Sequence, residues 1–316
     1  MLLIIDGNNL AHRVRHTFSL SNRGVDVSVT YGFLRVLERM LRKFEPQSVV
    51  CTWDGGTPEF RRQLLPEYKS GRDRGDPGEY ADFIRQVQEL SDYALPMMGV
   101  VSVRKIGAEA DDLMYHASRL YMGESIIVTT DRDLLQAVTP SVSVYSPIKK
   151  ELYTPESISN MYSVYPLDLV YLRALAGDSS DNIRGVPGIG MKTAIKLFSQ
   201  YKSLSGIMNA ALGCNPVGEI KGKLKENILG FGMDRLAANV ATMALAFDRT
   251  GARLAVVTAA EDFQSANKKR TKSYLLRNAF VSLVSPRFMK GIADLSKPVF
   301  SCGILRTPVV CWRRTT

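Results

Sequence analysis

The chain has 316 residues, enough for one large α/β domain or for a main domain with a smaller appendage, and either buries a full core without staples. Its 41 Lys plus Arg against 31 Asp plus Glu leave a formal charge of +10, which favours a polyanionic partner through counterion release and long-range attraction. The four cysteines (Cys51, Cys214, Cys302, Cys311) form no C-x-x-C pair and have no histidine cluster beside them, which excludes a disulfide framework and a structural zinc site.

Met1 runs through an apolar start directly into Asp6, with no basic leader or small-residue cleavage site, and no later stretch is apolar for long enough to span a bilayer. The expectation is a cytoplasmic protein whose partner is nucleic acid rather than a membrane. Residues 2–5 read as a buried strand, and Phe33, Val36, Leu37, Met40, Leu41 and Phe44 follow at helical spacing. Further β-branched runs lie at 48–52, 100–103, 125–129 and 142–145, with a helical segment at 110–121 between two of them. This alternation predicts an α/β fold, with a mainly parallel central sheet and helices on both faces.

Between Asp54 and Met97 the pattern breaks, and Arg61, Arg62, Lys69, Arg72 and Arg74 crowd together with Gly and Pro, so the segment reads as an excursion from the sheet. After Tyr153 helical segments take over, punctuated by glycines at 185–190 and 213–222. From about Asn267 the chain turns basic without clear periodicity. The division is therefore 1–153 for the sheet, with the excursion at about 55–97, then 154–266 for a helical part. A basic extension, 267–316, reads mainly as a solvated tail around Lys268, Lys269, Arg270 and Arg313.

Ligands of an open parallel sheet collect at the carboxyl ends of its strands. Acids follow these strands repeatedly: Asp6 after the first, Asp54 after the second, Glu109, Asp111 and Asp112 beyond the third, and Asp131 and Asp133 beyond the fourth. Asp178 and Asp181, three apart, share a face if their segment is helical. On one partly desolvated rim such carboxylates would repel one another prohibitively unless cations sat among them. Oxygen-only ligands suit Mg²⁺ or Mn²⁺.

These motifs, in this order, resemble the flap endonuclease and 5′-3′ exonuclease family, particularly its phage-type and bacterial members. The resemblance rests on Ile5-Asp6-Gly7-Asn8-Asn9, Thr52-Trp53-Asp54, the run from Pro66 to Arg72, Gly107-Ala108-Glu109-Ala110-Asp111-Asp112, Thr129-Thr130-Asp131-Arg132-Asp133, and Gly177-Asp178-Ser179-Ser180-Asp181 running into Gly185-Val186-Pro187-Gly188-Ile189-Gly190. It implies a PIN-like 5′-nuclease fold, free-standing and without a polymerase domain. The excursion would form a helical arch through which a single 5′ strand passes.

The same resemblance implies that Asp6, Asp54, Glu109, Asp111 and Asp112 line one metal position, and that Asp131, Asp133, Asp178 and Asp181 serve a second. Lys69 and Arg72 match functional basic positions of the arch, where a point charge and a planar fork suit phosphate oxygens. Arg13, Arg15 and Tyr68 are candidate DNA contacts, Tyr68 either stacking on a displaced base or packing the arch. Gly185, Gly188, Gly190 and Lys192 belong to a helix-three-turn-helix motif at about 182–201, where a close backbone and a helix start favour phosphate and a K⁺ ion is compatible with the turn.

The function these expectations describe is two-metal hydrolysis of DNA at a 5′ flap or 5′ end, leaving 5′ phosphate, by a monomer in replication or repair. Removal of RNA primers from RNA/DNA hybrids is the enzymatic alternative, and a branched-DNA binder that does not cut is the other. An aspartyl-phosphate phosphatase is excluded, because Asp6-Gly7-Asn8 lacks the second acid of a D-x-D pair.

Overall fold

The computed structural model of the protein describes residues 1–71 and 76–300. Arg72 and Arg74 of the excursion, and Cys302, Cys311 and Arg313, lie outside the described residues.

Strand β1 (Leu2–Asp6) leads into helix α1 (Gly7–Val14). A small hairpin, β2 (Ser21–Asn22) and β3 (Val25–Asp26), then precedes α2 (Ser28–Phe44) and β4 (Ser48–Trp53). The excursion holds α3 (Glu59–Leu64), α4 (Pro77–Glu89), a π-helical turn at Leu90–Ala94 and α5 (Leu95–Met97). Then come β5 (Val101–Arg104), α6 (Ala110–Leu120), β6 (Ser125–Val128), β7 (Val142–Ser146) and β8 (Glu151–Tyr153).

The helical half comprises α7 (Pro155–Tyr162), α8 (Leu169–Ala176), the short ladder β9 (Gly177–Asp178) and β10 (Ile183–Arg184), and α9 (Met191–Tyr201). It continues through α10 (Leu204–Leu212), α11 (Gly222–Phe231), α12 (Met233–Met243) and α13 (Ala252–Glu261) to α14 (Lys268–Arg277) and α15 (Pro286–Ala293).

The sheet order is β5-β4-β1-β6-β7-β8, parallel except for β8, which pairs antiparallel with β7. Every residue of β1 is buried, which is why the strand is an unbroken apolar run ended by an acid. Because side chains alternate across a strand, Leu2 and Ile4 feed one core with α6, α8 and α9, while Leu3 and Ile5 feed a second core with α1, α2 and α4. The chain reverses direction across the sheet between β1 and β6. That switch point opens a crevice at the carboxyl ends, between Asp6 and the loop after Val128.

The structure departs from the sequence reading at two places. The segment after Asn267 is not a solvated tail as far as residue 300: Tyr274, Leu275, Phe280, Leu283, Phe288, Ile292 and Leu295 are buried in the second core, and α15 packs on α2. Its lysines hid this, because α14 keeps only Thr271, Tyr274 and Leu275 inward and leaves the rest of its surface charged. Asp178 and Asp181 are also not on a helix, since β9, a turn and β10 form a hairpin that brings them together instead.

Candidate active site

Asp6 ends β1 and caps α1: its Oδ1 accepts from Asn9 N at 3.0 Å and its Oδ2 from the Thr129 hydroxyl at 2.7 Å. Burial pushes its carboxyl up to about 7, with smaller contributions from Asp54 and Asp131, against the two hydrogen bonds that lower it. Asp54 accepts from Ala110 N at 2.8 Å and so ties β4 to the start of α6. Asp131 donates its N–H to Thr129 Oγ1 and accepts from Asp133 N at 2.8 Å, which folds the loop after β6 back on itself. Burial, then Asp131 and Asp6, raise Asp111 well above the usual carboxylate range.

Behind this rim lies a buried cation that the sequence reading left without a role. Arg61, 2% exposed on α3, spans Asp112 through two nitrogens (2.9 and 2.7 Å) and also binds Glu109. Asp112 in turn accepts from Glu109 N, closing the capping box of α6. Both Asp112 oxygens are therefore engaged away from the crevice, by Arg61 and the start of α6. Glu109 also accepts from Tyr68 Oη at 2.9 Å and Lys69 Nζ at 2.6 Å.

Tyr68 thus packs the arch base against Leu65, Val170, Ile183 and Met243 and cannot serve as a stacking platform, correcting that half of its assignment. Lys69 takes the left-handed backbone, φ +53°, held by its N–H to the Asp181 carbonyl at 2.9 Å. Its ammonium lies 3.7 Å from the Asp181 carboxylate. Burial alone would lower the ammonium's pKa, but Glu109, Asp181 and Asp111 outweigh it and raise the value.

The second group of acids lines an open cavity of about 420 Å³ with Asn9, Lys69, Thr130 and Arg173. Asp133, Asp178 and Asp181 bring ligand oxygens within 4.8 Å of one another. Arg173 of α8 bridges Asp133, at 2.5 Å, and Asp178. Burial pushes Asp133 up to about 7 despite Arg173, whereas in Asp178 the effect of burial is outweighed by Ser180 and Arg173, which lower it. A smaller pocket touching Glu109, Asp111, Asp133 and Asp181 joins the two groups, so the acids that face the crevice form one rim with Asp112 behind it. Arg61, Lys69 and Arg173 are paired with acids of this set. An all-oxygen set with this surplus of negative charge fits hard divalent cations.

Arg13 is exposed one turn beyond Asn9 on the same face of α1. Arg15 pairs with Glu79 of α4 at 3.4 Å and lies over the Phe83 ring. In the 185–190 turn, Val186 and Ile189 are buried anchors. Gly188 takes φ +77° and Gly190 has open space where a Cβ would be. Gly185 is different: a Cβ there would meet Ala176 C at 2.3 Å, so it is glycine for close packing and not for access to phosphate. The turn lies between α8 and α9, which pack on each other. Lys192 is exposed at the start of α9.

A mainly parallel sheet that gathers a carboxylate rim and a lysine at its switch point has the residues to hold divalent cations at an active site. Comparison with known proteins agrees. The family described as the 5′-3′ exonuclease N-terminal resolvase-like domain matches residues 1–163, and that described as the 5′-3′ exonuclease C-terminal SAM fold matches residues 164–252. The 5′-3′ exonuclease of Bacillus subtilis is 34% identical over 251 residues, 76% of this chain and 82% of that protein. DNA polymerase I of the same organism is 31% identical over 284 residues, which are 85% of this chain and 30% of the polymerase. The flap endonuclease of bacteriophage T5, solved as a pseudo-enzyme-product complex with DNA and metal ions, shares the fold with a TM-score of 0.64 at 22% identity, over 88% of this chain and 99% of that one. The chain belongs to the 5′-3′ exonuclease family.

Proposed function

We propose that the protein is a monomeric, structure-specific nuclease that cuts DNA at a 5′ flap or free 5′ end with Mg²⁺, or Mn²⁺ in its place, leaving 5′-phosphate products. The observation that carries this reading is the continuous carboxylate rim with the Lys69 ammonium over it. Asp6, Asp54, Asp111 and Asp131 would hold one ion and Asp133, Asp178 and Asp181 the other, with Glu109 and Asp112 positioned behind them by Arg61. Bound there, the ions would supply an activated water and charge neutralisation for the leaving 3′ oxygen. Lys69 faces the same cavity and offsets phosphate charge, a contribution of about 3 kcal/mol to the barrier in comparable sites.

Gly188, Gly190 and Lys192 would present backbone N–H groups and one charge to duplex phosphates, and carbonyls of the turn would be the ligands for a K⁺ ion. Arg13, exposed on the face of α1 that carries Asn9, would offer a further charge to the DNA backbone. Incubation of a labelled 5′-flap duplex tests the reading: Mg²⁺ should shorten the labelled strand, and EDTA should leave only a mobility shift. Asp131→Asn with Asp133→Asn should bind the flap without cutting it, and full cleavage by that double variant would sink the metal assignment. Lys69→Ala should slow single-turnover cleavage by about 10²-fold while shifting binding less. An RNA-primed duplex run alongside decides whether RNA/DNA hybrids are also substrates.

A further inference from the structure

Arg173 is a cation placed inside the second carboxylate group, and it rises from a helix, α8, that contributes no other charge there. A single nitrogen, Nη2, contacts both Asp133 Oδ1 and Asp178 Oδ2, oxygens that come from loops 45 residues apart in sequence. Its Nε is buried and has no hydrogen-bond partner among the described residues. The guanidinium head is thus hydrogen-bonded to Asp178 and in ion-pair contact with Asp133, whose Oδ1 is itself buried without a hydrogen bond, and among the described residues no bond anchors its Nε side. A nitrogen and a divalent cation cannot both occupy the contact between the same two oxygens, so each must exclude the other there.

We infer that Arg173 is a tethered counter-cation that competes with divalent metal for Asp133 and Asp178, so that the second ion binds only by displacing it. This inference rests on the proposed metal-dependent nuclease reading and names a control within the same site. Without metal, Arg173 prevents three neighbouring carboxylates from destabilising the fold through mutual repulsion. With metal, the displaced guanidinium remains beside the cavity, where a phosphate oxygen offers it a new partner. Occupancy of the second position is thereby weakened in the free protein and favoured once a phosphodiester is present to receive Arg173.

Mn²⁺ binding to the full chain without DNA, followed by the resonance of unbound Mn²⁺, tests this without reading catalysis. The wild-type protein should show one tighter and one weaker ion. Arg173→Gln should tighten the weaker ion by about tenfold or more, within the span of ordinary coupling between ligands, and leave the tighter one in place. Arg173→Lys, which keeps a tethered cation, should stay closer to wild type. A weaker ion bound no more tightly by Arg173→Gln would overturn the inference.

If Arg173→Gln does not fold, the wild-type protein still decides. The Arg173 Nε–H resonance in a ¹⁵N spectrum, assigned with Arg173→Lys, should move as Mg²⁺ fills the weaker position, and a signal indifferent to Mg²⁺ would equally overturn the inference. Flap cleavage by the wild type is measured in parallel. Its absence would defeat the nuclease reading, whereas the binding and resonance outcomes bear on Arg173 alone.

Discussion

At the scale of single residues, the rim owes its chemistry to acids held in a place that disfavours their charge. Burial pushes both Asp6 and Asp133 up to about 7, while in an unfolded chain an aspartate titrates near about 3.9. Between about pH 4 and 7 the folded form therefore binds protons that the unfolded form does not. Stability from these two groups is greatest at the acid end of that window and declines as pH rises through 7. In EDTA the melting temperature should fall between about pH 5.5 and 8, and Asp6→Asn should flatten that fall. Mg²⁺ should restore stability at the alkaline end, and parallel wild-type and Asp6→Asn profiles would remove burial of Asp6 as the cause. Arg61 makes the opposite case, a buried charge fully answered by Glu109 and Asp112. Arg61→Ala would leave Asp112 buried without its cation and Glu109 with Lys69 and Tyr68 alone, and should cost about 3–5 kcal/mol in urea unfolding, well beyond a surface-pair loss.

At the scale of elements, the glycine-rich turn divides its work between packing and exposure. Gly185→Ala forces a Cβ into the Ala176 and Gly177 backbone, so it should lower the melting temperature, with any loss of duplex binding secondary to that. Lys192→Ala touches no packed atom. It should leave stability unchanged and reduce the salt dependence of duplex binding by about 0.9 in log–log slope, the share of one phosphate contact. A salt slope that Lys192→Ala leaves alone would take that side chain off the DNA. The arch base shows the same division: Tyr68 packs, while Lys69, next to it, is turned toward the acids by a left-handed backbone that the Asp181 carbonyl holds.

At the scale of the molecule, residues beyond the two matched family regions complete the fold. Helix α15 seats Phe288 and Ile292 on α2, so the face of the sheet opposite α6 depends on a segment far along the chain. Phe288→Ala should therefore destabilise the whole protein by about 3–5 kcal/mol, measured by denaturant midpoint. A tail that was merely solvated would give no measurable change. The described residues contain no helix long and apolar enough to cross a membrane.

The amino-acid sequence by itself determined the parallel sheet, through apolar runs of strand length ending in acids. It also determined most of the acidic rim, because the carboxyl ends of parallel strands converge wherever the order reverses. Only the tertiary structure decided which acids face the crevice. Asp111 and Asp112 are neighbours in sequence, yet one points into the rim and the other is bound by Arg61, which comes from an excursion some 50 residues earlier. Arg173 carried no local signal, since an arginine on a helix reads as solvated until two distant loops close on it. Long-range charge pairing has no period along a chain, and that is why it could be read only from the fold.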